Sequence, residues 1–184
     1  EALSVDGVVG LVIGTRPDCI SDEIINYLDE LSKTYFISLE IGVESTNEKT
    51  LLNVNRCHTF EETKATFEKC KNKGFHLGAH IIIGLPGESK KELLNHAFEI
   101  SKLPIDTLKL HHLQIVKNSV MAVQYKRNPI NFNLFSSEEL MILENQVENL
   151  RELNQLKLTP RLRQFFTETP ELFNQKMQKI FKIE

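Results

Sequence analysis

The feature that most constrains this chain is a repeated alternation. Four apolar, strand-like runs each close on polar or glycine-rich residues, and segments with helical period separate them. The runs fall at 8–14, 35–43, 76–84 and 107–116. Their ends read GLVIGTRPDCIS, LEIGVES, HIIIGLPGES and LKLHHLQIVK. Between them, Ile24, Ile25, Leu28 and Leu31 share one helical face. Phe60, Thr63, Phe67 and Cys70 share a second, and Leu93, Leu94, Ala97, Ile100 and Leu103 a third. Crossovers of this length join parallel strands. The order predicts an α/β fold: the arc of a TIM-like β/α barrel, with polar chemistry gathered at the carboxyl ends of the strands.

Helix starts are marked by capping-box pairs at Ser45 and Glu48, Thr59 and Glu62, Ser89 and Glu92, and Ser136 and Glu139. Lys73-Gly74 and Leu103-Pro104 read as stops for the second and third helices. After 116 the alternation ceases. A short helix is predicted over 118–125, a loop over 126–135 and a strong helix over 137–153. A short strand over 158–162 and a final amphipathic helix over 170–181 follow. Two regions result: 1–125, holding four β/α units, and 126–184, a helical extension.

A chain of 184 residues that is 41% hydrophobic can bury an ordinary core. Its net charge of −3 gives no whole-chain basic footprint for nucleic acid. No apolar run has the length of a membrane span, and none reads as a signal peptide. Cys19, Cys57 and Cys70 have neither disulfide-framework nor CxxC spacing, so the expectation is free thiols in a reducing cytoplasm and no metal held by them. The chain opens at Glu1 rather than Met, which suits a piece of a longer protein.

Strand side chains alternate between faces. In the second strand Ile37, Leu39, Ile41 and Val43 share the face that should meet helices. Ser38, Glu40, Gly42 and Glu44 share the other, which points into the barrel. An inward carboxylate is costly unless compensated. Glu40 therefore either binds a ligand or pairs with Arg16 or Lys109. His80 falls on the same interior face of the third strand. In the fourth, Lys109 and His111 share a face and His112 takes the other, so one metal ion could not take both adjacent histidines. Gly84-Leu85-Pro86-Gly87 is a tight turn before a helix start, whose exposed amides would favour an anionic or polar ligand. Arg16 sits at the matching end of the first strand. It can fork onto a ligand carboxylate or close its own turn with a salt bridge.

Three strings, GLVIGTRPDCIS, LEIGVESTNEKTLLNVNRCHTFEE and HIIIGLPGES, resemble the radical S-adenosylmethionine (SAM) superfamily, over about residues 5 to 140. The nearest resemblance is to a bacterial group of iron–sulfur proteins similar to the catalytic subunit of Elongator. The resemblance implies the last four strands of a partial (β/α)6 barrel. It also implies, in a full-length parent, a [4Fe–4S] cluster held by a CxxxCxxC loop, and SAM cleaved reductively to start radical chemistry. That cysteine loop is absent from this sequence, so neither group is expected on this stretch alone. By the same resemblance Glu40, Glu44 and Ser45 would offer polar groups to SAM. Gly84, Leu85, Pro86 and Gly87 would flank its adenine, and Arg56 and His58 match an Asn-Arg-x-His string. Cys57 stands where relatives usually carry glycine, and Glu44 where many carry Gln. His80, Lys109 and His111 fit an interior or substrate site. The substrate is not legible, with RNA a candidate through the Elongator likeness. An exposed barrel edge predicts self-association. Two alternatives stand beside this reading: a non-catalytic barrel-derived binding module, and a non-radical lyase or hydrolase using Glu40 and His80 as acid and base.

Overall fold

Four parallel strands in sequential order, β1-β2-β3-β4, form one sheet. The structure, a computed structural model, describes residues 1–134 together with Ser136, Glu138 and Met141. The strands are β1 (Gly10–Thr15), β2 (Phe36–Glu44), β3 (His76–Ile83) and β4 (Thr107–His112). The helices are α1 (Asp22–Ser32), α2 (Glu48–Asn53), α3 (Phe60–Cys70), α4 (Lys90–Ile100) and α5 (Val120–Arg127). This is the α/β arc that the alternation predicts. The helix, strand and terminal helix predicted beyond 136 lie outside the described residues, as does Glu139 of the last capping pair.

The core follows the strand alternation. Leu39, Ile41 and Val43 of β2 and Ala79 of β3 are fully buried, with Ile37, Leu77 and Ile81 close behind. Against them pack Ile25 and Leu28 of α1, and Phe60, Phe67 and Cys70 of α3. Each large side chain so buried contributes about 1.5–3 kcal/mol. On α1 the apolar stripe is narrower than its sequence suggests, because Ile24 is exposed. Burial also pushes the Cys70 thiol up to about 11, so it stays protonated, whereas Cys19 and Cys57 are exposed free thiols.

Two predicted capping boxes form as expected, Thr59 with Glu62 and Ser89 with Glu92. The pair at Ser45 and Glu48 does not. Asn47 is the cap there, its side-chain oxygen accepting from the amides of Lys49 and Thr50. Ser45 is drawn away to a buried carboxylate, and Glu48 instead accepts from the amide of Phe60. The fourth strand ends at His112, four residues short of the expected 116. The helix expected over 118–125 is α5, shifted by two residues because Ser119 caps it. Past the expected boundary at 125, Phe132 is buried with Leu85 and Leu113.

The candidate cofactor cleft and the interior polar cluster

The carboxyl ends of β2 and β3 lie side by side, and two polar groups gather near them. The first begins at a slip in the sheet. Between Gly42 and Glu44 the β2–β3 register shifts, and Glu44 takes a left-handed φ of 63°. This turns its carboxylate toward Arg56, with Oε1 2.9 Å from the guanidinium Nη2. The same Nη2 donates to the Gly42 carbonyl at 3.1 Å, and Nε donates to His58 Nε2 at 2.9 Å. His58 must therefore carry its proton on Nδ1, which faces the Thr59 carbonyl at 3.4 Å. Burial holds His58 below the usual imidazole range, in keeping with a neutral ring. Left-handed residues on both sides, Asn55 (φ 58°) and Cys57 (φ 62°), fold Arg56 back over β2. Cys57 thus occupies a backbone position that suits the glycine expected there.

Gly42 is what lets this pair lie flat. A Cβ at that position would come within 2.5 Å of Glu44 Oε1 and 2.6 Å of Arg56 Nη2.

The Gly84–Gly87 turn closes the same end of β3. Gly84 and Gly87 have φ of 92° and 84°, which only glycine adopts freely. Several amides of this turn already have partners. Gly87 N donates to the Asn131 carbonyl at 2.8 Å, Glu88 N to Leu85, and Ser89 N to Glu92 Oε2 at 2.6 Å. The Asn133 side chain donates to the Glu88 carbonyl. Leu85 and Pro86 within the turn are buried.

A buried network joins the two loops, and sequence reasoning missed it. Glu88, 1% exposed, accepts from the Ser45 hydroxyl at 2.5 Å. Its Oε1 also lies 3.1 Å from His96 Nε2 but outside hydrogen-bond geometry, and neither that nitrogen nor Oε2 has a hydrogen-bond partner among the described residues. Thr46 donates through its amide to His96 Nδ1 at 3.4 Å, and its hydroxyl sits 2.7 Å from the same nitrogen. That fixes the ring proton on Nε2, facing Glu88. One signal was available: His96 falls between Leu93 and Ile100 on the apolar face of α4, where an imidazole needs a partner.

The second group lies on the interior face of the sheet. Glu40, 12% exposed, pairs with the Lys109 ammonium through Oε1 and with His80 Nε2 through Oε2 at 2.9 Å. Lys109 holds the Glu40 carboxyl below the usual carboxylate range against the opposing effect of burial, and His80 adds to it. His80 Nδ1 meets His111 Nε2 at 3.3 Å, the rings 4.9 Å apart and tilted by 51°. The expected pairing of Glu40 with Lys109 is the one found. Arg16 lies outside both groups, with Nε donating to Asp18 at 3.0 Å and the guanidinium paired to the same carboxylate. It closes its own turn. His112 takes the opposite face from His111 and is exposed.

Among the described residues no three His, Cys, Asp or Glu side chains converge on a metal-sized site. The cysteines sit on separate elements and do not fit an iron–sulfur cluster between them. No helix among these residues is long and apolar enough to cross a membrane.

Residues 2–100 match the Radical SAM superfamily. The chain is 36% identical over 132 residues to Protein YhcC of Escherichia coli K12, covering 71% of this chain and 43% of that protein. It is 28% identical over 122 residues to a tRNA uridine(34) acetyltransferase of Methanocaldococcus jannaschii, covering 65% of this chain and 22% of that protein. Among solved structures, Elp3 of Methanocaldococcus infernus superposes with a TM-score of 0.65 at 25% identity, over 76% of this chain and 32% of that one. The chain therefore spans less than half the length of these relatives. A family match over more than half of its residues, on a parallel β/α sheet whose strand ends carry the GVES and GLPGES turns, makes this chain a member of the radical SAM superfamily.

Proposed function

We propose that this chain supplies the SAM-holding side of a radical SAM enzyme's barrel, in the reducing cytoplasm, with RNA as the substrate class. The observation that carries the reading is the Glu44–Arg56 pair at the carboxyl end of β2, joined through Ser45 and Glu88 to the glycine turn of β3. The residues fit SAM in kind. Arg56, with Nε and Nη2 engaged, offers Nη1 to a carboxylate, and Glu44 offers Oε2 as an acceptor for an ammonium or ribose hydroxyl. With no Cβ at Gly42, the ends of both side chains lie over its backbone, Arg56 22% and Glu44 16% exposed. Leu85 and Pro86 are buried and hold the glycine turn in place from beneath. When bound and reduced, SAM supplies a carbon radical to the substrate. This chain's own residues hold and orient it. His58 holds Arg56 from behind, and Ser45, Glu88 and His96 hold the Glu44 loop against the glycine turn.

Support for RNA is the likeness to the tRNA uridine(34) acetyltransferase. The finer assignment of Glu40 to SAM is less well supported than that of Glu44, since both Glu40 oxygens already have partners.

The test is SAM binding and 5′-deoxyadenosine release by the full-length enzyme that carries this chain, loaded with iron and sulfide under anaerobic conditions. Arg56→Ala and Glu44→Ala should each weaken SAM binding by about tenfold or more. Circular dichroism should be unchanged. Undiminished SAM binding in both variants removes the pair from the cofactor site, and no SAM cleavage by the wild type removes the function.

A further inference from the structure

With His80 neutral, the hydrogen bonds of the interior cluster set a polarity. Glu40 Oε1 takes the Lys109 ammonium and Oε2 faces His80 Nε2. A carboxylate can only accept, so His80 Nε2 must carry a proton and donate it. In a neutral His80 the other nitrogen, Nδ1, is then an acceptor. It faces His111 Nε2 at 3.3 Å, so that nitrogen must donate in turn. His111 is left with its Nδ1 lone pair unprotonated, on an exposed side chain at the interior face of β4.

This arrangement singles out where a further proton can go. Adding one to His80 Nδ1 would set two donors against each other. Adding one to His111 Nδ1 breaks no hydrogen bond, because Nε2 remains a donor in both forms. The resulting imidazolium would be met through His80 by the Glu40 carboxylate. Lys109 uses one of its three ammonium donors on Glu40 and, half-exposed, can turn the others to the same face. The groups that face this cluster from neighbouring strands are therefore Glu40, His80, Lys109 and His111; His112 points away.

We propose that Glu40, His80 and His111 form a proton relay ending at His111 Nδ1, and that His111 acts as general base toward a substrate hydroxyl lying on this face beside Lys109. In the step the substrate O–H bond breaks and an Nδ1–H bond forms on His111. The electron pair stays on the substrate oxygen, whose negative charge the Lys109 ammonium meets. The proton returns to oxygen, or leaves to water, when the step reverses or the product departs. His111 is the residue that would touch substrate, and His80 and Glu40 are positioning residues. The inference does not depend on SAM and goes beyond the cofactor assignment.

The relay makes an unusual prediction for Glu40→Gln. Lys109 would keep the amide oxygen, so the amide NH2 would face His80 Nε2 and force it to accept. His80 Nδ1 would then donate to His111 Nε2, and the His111 proton would move to Nδ1. The whole chain of tautomers reverses and the outward lone pair disappears. The experiment uses this chain, 15N-labelled on histidine, at about pH 8.5, where ordinary imidazoles are neutral. Long-range 1H–15N spectra should show His80 and His111 as Nε2–H tautomers in the wild type and as Nδ1–H tautomers in Glu40→Gln. In parallel, diethyl pyrocarbonate with peptide mapping should acylate His111 about fivefold faster than the exposed His112, which has no relay behind it. That advantage should vanish in Glu40→Gln and in His80→Phe, the second variant serving if the first fails to fold. An Nδ1–H tautomer for His111 in the wild type overturns the proposal. So does a His111 reactivity that matches His112 or survives both substitutions. Because neither readout involves SAM, failure here leaves the cofactor reading untouched, and the reverse also holds.

Discussion

Cys57→Gly should make this protein more stable. Cys57 sits at a φ of 62°, in the left-handed region. A residue with a Cβ costs about 1–2 kcal/mol there. Glycine removes that strain but returns about 0.4–1 kcal/mol through a freer unfolded chain. The exposed thiol has little else to lose. Its contact with the Asn55 carbonyl oxygen is 3.4 Å, worth a few tenths of a kcal/mol at most. The net expectation is a gain of about 0.5 kcal/mol, or roughly 1–2 °C in melting temperature for a chain this long. Urea titration with both variants in parallel decides it. Cys57→Ala keeps the Cβ and should gain nothing. If Cys57→Gly unfolds at or below the wild-type midpoint with an unchanged m-value, or Cys57→Ala gains as much, left-handed strain is not what Cys57 contributes.

Two further outcomes follow from the packing. Glu88→Ala leaves the Ser45 hydroxyl without its acceptor, at about 1–3 kcal/mol, and takes away the carboxylate that lies 3.1 Å from His96 Nε2. Glu88→Gln should lose much less, because an amide oxygen can still accept from Ser45; equal midpoints for Glu88→Ala and the wild type in urea would contradict the network. Among the described residues the sheet ends at β1, with Val9 80% and Val12 62% exposed along it. We expect a second copy to pair there and Val12→Lys to shift light scattering toward monomer, whereas a strict monomer with freely exchanging β1 amides at high concentration would refute this.

The sheet was legible because period-two alternation and burial are the same physical fact. Ile37, Leu39, Ile41 and Val43 had only one face on which they could all avoid water. The interior cluster was legible for the same reason. Once the faces were assigned, Glu40, His80, Lys109 and His111 had to share one, although which nitrogen met which atom needed the register between strands. The cap at Asn47 was misread because Ser45 had a better use. A local pattern could not foresee that a carboxylate 43 residues downstream would claim the hydroxyl. The bond from the Gly87 amide to Asn131 was hidden likewise, since its acceptor comes from a stretch with no periodic signal. Long-range polar pairing leaves no imprint on local spacing, and each of these misses has that origin.

The flat seat of the Glu44–Arg56 pair over Gly42 has a bearing on how this cleft can drift. Three positions, 42, 44 and 56, share one small volume, and none can be altered on its own terms. A methyl group at 42 pushes the ends of both side chains aside, and a shorter side chain at 44 strands the guanidinium over a bare carbonyl. A neutral residue at 56 leaves a carboxylate held in a left-handed backbone with nothing opposite it. Successful exchanges here should therefore come as sets, with an amide at 44 the gentlest departure, because it keeps an oxygen for Arg56 and the small footprint that Gly42 leaves open.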